Sequence, residues 1–265
     1  LIVADKLVHA SIIDGIKLSS ATTLRYKHLD YNHLEQILHK NRCKFENVFI
    51  ISESIFSMDG DIADLEKLVE LKQKYNCLLY IDEAHAVGVR GNRGLGCADE
   101  QNMISEIDFI VGTFGKAFGV NGGFIASSNA VIESVRQRAD TYIYTNPLSV
   151  ADCAAASAAI DICDSPEGIE RLDNLKNRQD QLRKGIDSLG LESIPGPHPV
   201  VPLLTRDSGK TKKMVAHFFD RGIMVVGLAF PVVPAGQEKL RIQINAAHTK
   251  ADIDVVLNVL SDFES

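Results

Sequence analysis

The feature that most constrains the fold is an alternation of short apolar runs with amphipathic segments along the first half of the chain. The predicted strands are residues 1–5, 47–52, 77–81, 107–113 and 123–127. Between two of them, residues 64–75 have apolar side chains at helical spacing, with Asp61 or Asp64 as the expected N-cap. Continuous apolar strands separated by helices are typical of a mostly parallel sheet with helices on both faces. The sequence therefore predicts an α/β fold.

The pattern changes in the second half of the chain. An alanine-rich helix is predicted over 150–163, packed closely against a neighbour, followed by an amphipathic helix over 169–189. The elements predicted after these are strands at 200–204, 223–226 and 240–244 and helices at 212–221 and 250–260. These short elements indicate a smaller C-terminal α+β domain. We place the boundary near residue 155, which gives domains of residues 1–155 and 156–265, and we expect the first domain to lack its N-terminal part because the chain opens inside a strand.

Composition excludes several classes of protein. The chain has 265 residues and a net charge of −7, with acidic and basic residues well mixed, so no nucleic-acid partner is expected. Its apolar runs fall far short of the roughly 20 residues that cross a bilayer, which predicts a cytoplasmic protein without a membrane span. The five cysteines form no C-x-x-C pair, and no metal site is expected.

Three polar clusters directly follow predicted strands. They are residues 54–61, the segment Asp82-Glu83-Ala84-His85, and residues 113–119 around Lys116. The carboxyl ends of parallel strands meet at one edge of a sheet, where ligands bind in this architecture. We therefore expect the three clusters to converge on one site.

Lys116 and Asp82 have the residue types that a carbonyl cofactor with a pyridine ring requires. Lys116 lies between Gly115 and Gly119, which let backbone approach a planar ligand, and a partly desolvated lysine is a usable amine nucleophile. Asp82 ends an apolar strand, so its carboxylate needs a cationic partner such as a pyridinium nitrogen. His85 is placed to bind the phenolic oxygen of the same cofactor. The plainer alternatives are a surface lysine, a helix N-cap and a core histidine.

Two other interpretations of these motifs fail on spacing. Asp82-Glu83-Ala84-His85 spells the box of one helicase class, but the chain offers no matching phosphate loop. A dinucleotide-binding fingerprint also fails, because the glycines of residues 91–96 do not have the required spacing.

Four segments in order resemble the α-oxoamine synthases, which are fold-type I pyridoxal-phosphate (PLP) enzymes that join an amino acid to an acyl-CoA. The segments are Asp5–Ser11, Phe56–Gly60, Asp82–His85 and Thr113–Lys116, and the resemblance covers essentially the whole chain. It implies that residues 1–155 bind PLP.

The resemblance implies catalytic roles for four side chains. Lys116 matches the lysine that forms a Schiff base with the cofactor and then removes the substrate α-proton. Asp82 matches the partner of the pyridinium nitrogen, and His85 matches the residue at the phenolic oxygen. His9 matches the histidine that stacks on the pyridine ring.

The resemblance also implies binding roles for five further residues. Ser57 matches a cofactor-contacting serine, and Thr113 matches a threonine that contacts the phosphate. Thr145 and Asn146 match residues that reach the phosphate of a second subunit, which implies a homodimer with a shared active site. Arg241 matches the arginine that binds the amino-acid carboxylate, a task that suits a bidentate guanidinium.

The substrate prediction rests on C-terminal residues and on the start of the chain. Residues 231–237, Arg241 and residues 246–249 are similar to glycine C-acetyltransferase, which favours glycine and acetyl-CoA, and residues 1–15 are similar to it too. The 8-amino-7-oxononanoate synthases, which use alanine and a pimeloyl thioester, share much of the pattern, as do the serine palmitoyltransferases to a lesser extent. An inactive partner subunit is the non-catalytic alternative, and the presence of Lys116 argues against it.

Overall fold

Residues 1–264, which the computed structural model describes, divide into two units. The first contains residues 1–56 and 62–168, and the second contains residues 57–61 together with the chain from Ile169. The division lies later than the boundary predicted near residue 155. The reason is that the helix expected over 150–163 stays with the first unit. At its C-terminal end Cys163 Sγ donates to the Arg93 carbonyl at 3.2 Å, and Arg93 forms a 2.7 Å salt bridge with Asp164.

The first unit contains a six-stranded sheet of order β2-β1-β3-β4-β5-β6. Its strands are β1 (Ile2–Asp5), β2 (Thr23–Tyr26), β3 (Phe49–Glu53), β4 (Leu78–Asp82), β5 (Phe109–Thr113) and β6 (Gly123–Ala126). The first five run parallel, and β6 is antiparallel to β5. This confirms the predicted mostly parallel sheet. The sequence pattern did not reveal β2, an edge strand in which Thr23 and Arg25 interrupt the apolar run.

One face of this sheet is closed by two helices. Val3, Ile50, Leu79 and Ile81 are fully buried on that face. The helices of the first unit are α1 (Ala10–Lys17), α2 (Tyr31–Asn41), α3 (Leu65–Tyr75), α4 (Cys97–Glu100), α5 (Asn129–Arg138), α6 (Asp140–Ile143) and α7 (Val150–Cys163). Helices α2 and α3 bury apolar residues against the closed face. The predicted cap of α3 is confirmed as Asp64, whose carboxylate accepts from the Lys67 N–H at 3.0 Å.

The opposite face of the sheet is only half covered. Phe49, Tyr80 and Phe109 contact one another there and remain partly exposed. Helix α1 and side chains of this face, among them Tyr80 and Asp82, line a cavity of about 590 Å³. Helices therefore lie on both faces as predicted, but the two faces are buried unequally. The alanine-rich α7 is also mostly exposed, with Ala156 its buried residue, which differs from the close packing expected of it.

The second unit is a small α+β assembly, as predicted. Its three-stranded antiparallel sheet has the order β7-β9-β8. Its elements are α8 (Pro166–Ser188, most of which lies in this unit), β7 (Val200–Leu204), α9 (Ser208–Phe219), β8 (Val226–Leu228), β9 (Lys239–Gln243) and α10 (Lys250–Glu264). The strand predicted at 223–226 was wrong. Gly222 (φ +76°) ends the turn after α9, and the Ile223 N–H binds the Phe218 carbonyl, so β8 begins only at Val226.

The segment Ser57–Asp61 leaves the first unit and joins the second. Asp59 forms a salt bridge with Lys239, a lysine that is only 4% exposed. A Cβ on Gly60 would lie 3.2 Å from the Val200 carbonyl oxygen, so glycine permits the close approach of this segment to β7. The segment is thus held by an ion pair to a buried lysine and by tight backbone packing.

Within residues 1–264, no helix combines the length and the apolar character needed to cross a bilayer. The same residues contain no cluster of His, Cys, Asp or Glu side chains suited to holding a metal ion.

Candidate active site

Three strand ends meet at one edge of the first unit's sheet. The parallel register pairs Glu53 with Asp82, and Asp82 with Val111. The Ser54 N–H donates to the Asp82 carbonyl at 2.9 Å, so the segment after β3 lies against the end of β4. The structure therefore brings residues 54–56, 82–85 and 113–119 to one edge of the first unit, whereas residues 57–61 of the first predicted cluster belong to the second unit.

Asp82 is a largely buried carboxylate at the end of β4. Its Oδ1 accepts from the Ala84 N–H at 2.8 Å, which closes a turn, and no helix begins there, so the helix-cap alternative fails. Burial raises the pKa of Asp82, whereas the Ala84 N–H and the positive charges of Lys116 and His9 lower it. The Lys116 loop and the His9 backbone both lie at this edge, because Ala117 packs against Gly88 and the His9 N–H binds Glu53, the register partner of Asp82. A desolvated carboxylate of this kind requires a cationic partner.

Lys116 lies on the loop that joins β5 to β6 and is exposed in the described chain, which differs from the partly desolvated position expected from the sequence. The Thr113 hydroxyl donates to the Gly122 carbonyl at 3.0 Å and accepts from the Gly115 N–H at 3.1 Å. The Phe114 N–H also binds the Gly122 carbonyl, at 2.9 Å. Thr113 therefore closes the base of the loop that carries Lys116. Its contact with a phosphate stays a prediction.

Gly88 allows the turn after β4 to approach the Lys116 loop. A Cβ on Gly88 would lie 2.6 Å from Ala117 Cβ and 3.2 Å from the Phe118 ring, and its φ of +74° is unfavourable for other residues. The turn that contains Asp82 and His85 therefore lies directly against the residue after Lys116. Sequence reasoning missed Gly88, because glycine in a loop gives no signal of which contact it permits.

Glu83 has a structural task beside Asp82. Its carboxylate is fully buried and accepts from the Ser54 hydroxyl at 3.0 Å and from the N–H groups of Cys97 at 3.0 Å and Ala98 at 2.8 Å. It therefore fixes the start of α4 and the segment after β3 to the turn. His85 follows in the same turn and is half-buried.

Glu53 is a second carboxyl group at this edge that sequence reasoning missed. It is the last residue of β3, is 3% exposed, and accepts from the His9 N–H at 2.5 Å through Oε1. Burial and the neighbouring charge of Asp82 raise the pKa of Glu53 to about 8. Glu53 lies between the predicted strand 47–52 and the polar cluster that begins at residue 54. Only the strand register, which pairs it with Asp82, reveals its position.

His9 begins α1 as its N-cap. Its Nδ1 accepts from the Ser11 N–H at 3.3 Å and lies 2.8 Å from the Ser11 hydroxyl. The backbone of His9 is tied to Glu53, and its charge acts on Asp82. The structure thus places His9 and Asp82 at neighbouring strand ends of the first unit, with the Lys116 loop packed against the turn after Asp82. Their catalytic roles stay predictions.

The other predicted residues lie elsewhere in the chain. Thr145 and Asn146 are exposed on the segment between α6 and α7. Ser57 and Arg241 belong to the second unit, where Arg241 lies on the central strand β9 opposite Pro202 and Val226. Among the described residues, the buried Arg241 Nε has no hydrogen-bond partner, and burial lowers the pKa of this guanidinium.

Comparison with known families gives one match along nearly the whole chain. The model of the family described as aminotransferase class I and II matches residues 1–260. Among curated proteins, the 8-amino-7-oxononanoate synthase of Petrotoga mobilis is 40% identical over 97% of this chain, and that of Thermosipho melanesiensis is 38% identical over 97%. The chain spans about 65% of the length of these relatives.

Solved structures agree with this match. A serine palmitoyltransferase from S. paucimobilis with bound PLP–myriocin has a TM-score of 0.93 and 30% identity, covering 99% of this chain and 66% of that one. The 8-amino-7-oxononanoate synthase of Francisella tularensis has a TM-score of 0.83 and 29% identity, covering 98% of this chain and 74% of that one. These findings confirm the predicted fold-type I architecture and α-oxoamine synthase relatives. These relatives are 8-amino-7-oxononanoate synthases and a serine palmitoyltransferase, so the predicted similarity to glycine C-acetyltransferase is not shown.

Proposed function

Because the chain belongs to the aminotransferase class I and II family, we propose that it binds PLP and condenses an amino acid with an acyl thioester. One observation carries the proposal, which is the largely buried carboxylate of Asp82 beside the loop that carries the Lys116 amine, at the ends of neighbouring strands. A carboxylate and an amine in this arrangement match the two ends of PLP that a protein must hold, a ring nitrogen and an aldehyde.

The residues present fit this cofactor. The Ala84 N–H is the backbone donor to the Asp82 carboxylate, whose burial calls for a cation, and a protonated pyridine nitrogen is one. Gly88, in the turn after Asp82, packs closely against Ala117 of the Lys116 loop. The Lys116 amine therefore belongs to the same edge of the sheet as the Asp82 carboxylate. The donor set therefore suits PLP better than a metal ion.

When bound, PLP would supply an aldehyde for covalent attachment of an amine and a ring that withdraws electrons from the substrate Cα. Lys116 would provide that amine and would move a proton at the substrate Cα. Asp82 would hold the proton on the ring nitrogen, and His85 would bind the phenolic oxygen. His9 would cover one face of the ring and exclude water from it.

Arg241 would bind the carboxylate of the amino-acid substrate. Its Nε is buried without an acceptor in the described chain, and an unsatisfied buried donor costs roughly 1–3 kcal/mol. A carboxylate would remove that cost through a bidentate contact. We assign Ser57 to a cofactor contact and Thr113 to the phosphate on the resemblance alone.

A homodimer would complete the site. The segment that carries Thr145 and Asn146 exposes large apolar side chains, with Tyr144 at 83% and Val150 at 87%. A contiguous apolar stretch of this kind is typical of a protein interface. We assign it to a second copy of the chain, in which Thr145 and Asn146 approach the partner's phosphate.

For the substrates, the relatives favour alanine and a pimeloyl thioester, the reaction of an 8-amino-7-oxononanoate synthase, over the glycine and acetyl-CoA expected from the sequence. Glycine with acetyl-CoA stays the second candidate, because residues 231–237 and 246–249 support it.

A substrate panel separates these candidates. We expect pimeloyl-CoA with alanine to have the highest kcat/KM among pimeloyl-, acetyl-, succinyl- and palmitoyl-CoA combined with alanine, glycine or serine, measured as amino-acid-dependent release of CoA thiol. The Arg241→Ala variant is the control for carboxylate binding and should raise KM for the amino acid. Preference for acetyl-CoA with glycine would restore the original prediction. Protein that neither binds PLP nor releases CoA with any pair would instead support an inactive partner subunit.

The approach between Gly88 and Ala117 gives a second test. We expect Gly88→Ala to weaken PLP binding about tenfold or more, because the added Cβ must push the Lys116 loop away, and displacements near 1 Å at such sites cost up to about a hundredfold. Gly190→Ala is the matched control, since Gly190 has a similar φ of +70° but no atom within 4 Å of the added Cβ. Titration of the apoprotein with PLP, followed by absorbance, measures the effect. Equal PLP affinities in the two variants would contradict the assigned role of Gly88.

A further inference from the structure

Glu53 is a buried carboxyl group at the candidate active site, and none of the proposed binding or catalytic roles involves it. It ends β3 at 3% exposure, and the parallel register places it opposite Asp82 at the end of β4. Residues paired in this way project to the same side of a sheet, so two carboxyl groups share one edge and one face. A second buried acid beside the proposed pyridinium partner requires a physical explanation.

The contact between Glu53 and His9 supplies part of that explanation. The His9 N–H donates to Glu53 Oε1 at 2.5 Å across 44 residues of sequence. His9 is the N-cap of α1, so this bond fixes the point where the helix begins and the backbone that carries the imidazole. Without it, a partly buried N–H would lose its acceptor.

The charges around Glu53 supply the other part. Two neighbouring carboxyl groups in a desolvated site do not both ionise readily. The charged groups that act on Glu53 are Asp82 on β4, Lys116 on the β5–β6 loop and Asp5 on β1, and His9 acts on it through its backbone N–H. Burial, then the charge of Asp82, raises the pKa of Glu53 to about 8, so Glu53 is mostly protonated at neutral pH. Burial also raises the pKa of Asp82, but the Ala84 N–H and the charges of Lys116 and His9 oppose that rise, so we expect Asp82 to be the group of the pair that keeps the negative charge.

We propose that Glu53 is a positioning residue that holds His9 against the cofactor ring and keeps Asp82 as the carboxylate facing the ring nitrogen. The inference rests on the proposed function, because it assumes that PLP binds at Asp82. Glu53 acts through His9 and Asp82 and takes no part in bond making or breaking.

Two variants test this role. Glu53→Gln keeps a neutral side chain with an acceptor oxygen, and Glu53→Ala removes the acceptor. The readouts are the visible absorbance and circular dichroism of bound PLP from about pH 6 to about pH 10, together with PLP affinity. We expect the wild type to show a spectral change near pH 8 as Glu53 ionises. Glu53→Gln should lose that change and bind PLP within about threefold of wild type, whereas Glu53→Ala should bind about tenfold more weakly with reduced visible dichroism.

The outcomes separate this inference from the proposed function. A wild type that binds no PLP would overturn both. If the wild type binds PLP and both variants have the same PLP affinity and the same spectral pH profile as the wild type, the role of Glu53 alone is overturned. Glu53→Gln that is as impaired as Glu53→Ala would also overturn it, because a charged Glu53 would then be required. If Glu53→Ala does not fold, as judged by its melting temperature, the loss or persistence of the change near pH 8 in Glu53→Gln decides the question.

Discussion

Lys116→Ala is expected to abolish the covalent adduct that borohydride traps between the protein and PLP. An aldehyde condenses with an amine, and in the structure Lys116 is the lysine whose charge acts on both Asp82 and Glu53 at the strand ends. Loss of this amine removes both the attachment of the cofactor and the base at the substrate Cα. We expect turnover to fall by about 10⁴-fold or more, or roughly 5 kcal/mol at the transition state.

The measurement is peptide mass mapping after borohydride reduction, in parallel with the absorbance of bound PLP. Lys67→Ala is the control, because Lys67 is exposed on α3 and pairs with Glu70 in the same unit. It should retain the adduct and wild-type turnover. An adduct on another lysine of the wild-type protein would disprove the assignment of Lys116.

Asp82→Asn is expected to retain PLP but to lose most turnover. Asparagine keeps the size of the side chain and an oxygen for the Ala84 N–H, so the turn should survive. It cannot hold a proton on the pyridine nitrogen by charge, and the ring then withdraws electrons less effectively. We expect kcat to fall about a hundredfold or more, which is ~3 kcal/mol at the transition state.

The comparison requires PLP occupancy and kcat for each variant. Asp14→Asn provides the control, since Asp14 is exposed on α1 and pairs with Lys17. It should leave both quantities unchanged. Near-normal turnover of Asp82→Asn at full occupancy would show that the carboxylate serves only the turn at Ala84.

The sequence predicted the parts of this fold that depend on local pattern. The apolar strands β3, β4 and β5 and the helix capped by Asp64 follow from periodicity and capping, which are short-range properties. Edge strand β2 was missed because its polar residues break the pattern. Strand β8 was misplaced because the turn at Gly222 extends into the apolar run that follows it.

The site was predicted in the same uneven way. Asp82 and Lys116 could be inferred because each follows an apolar strand and has a side chain with distinctive chemistry. Glu53 and Gly88 could not, since their importance arises from partners far away in sequence, His9 for the first and Ala117 for the second. The register between strands and the close approach between loops are tertiary properties, so they cannot be predicted from a local sequence pattern.

The segment Ser57–Asp61 has a consequence for how this chain can be divided. The polypeptide passes between the two units three times, after Phe56, after Asp61 and after Gly168. A single cut near residue 168 would leave Lys239 in the C-terminal fragment without Asp59, and an unpaired buried ammonium costs several kcal/mol. The C-terminal half is therefore not a detachable module that recombination could exchange at one junction. Any functional swap between relatives must carry the segment 57–61 along with the strand that contains Lys239.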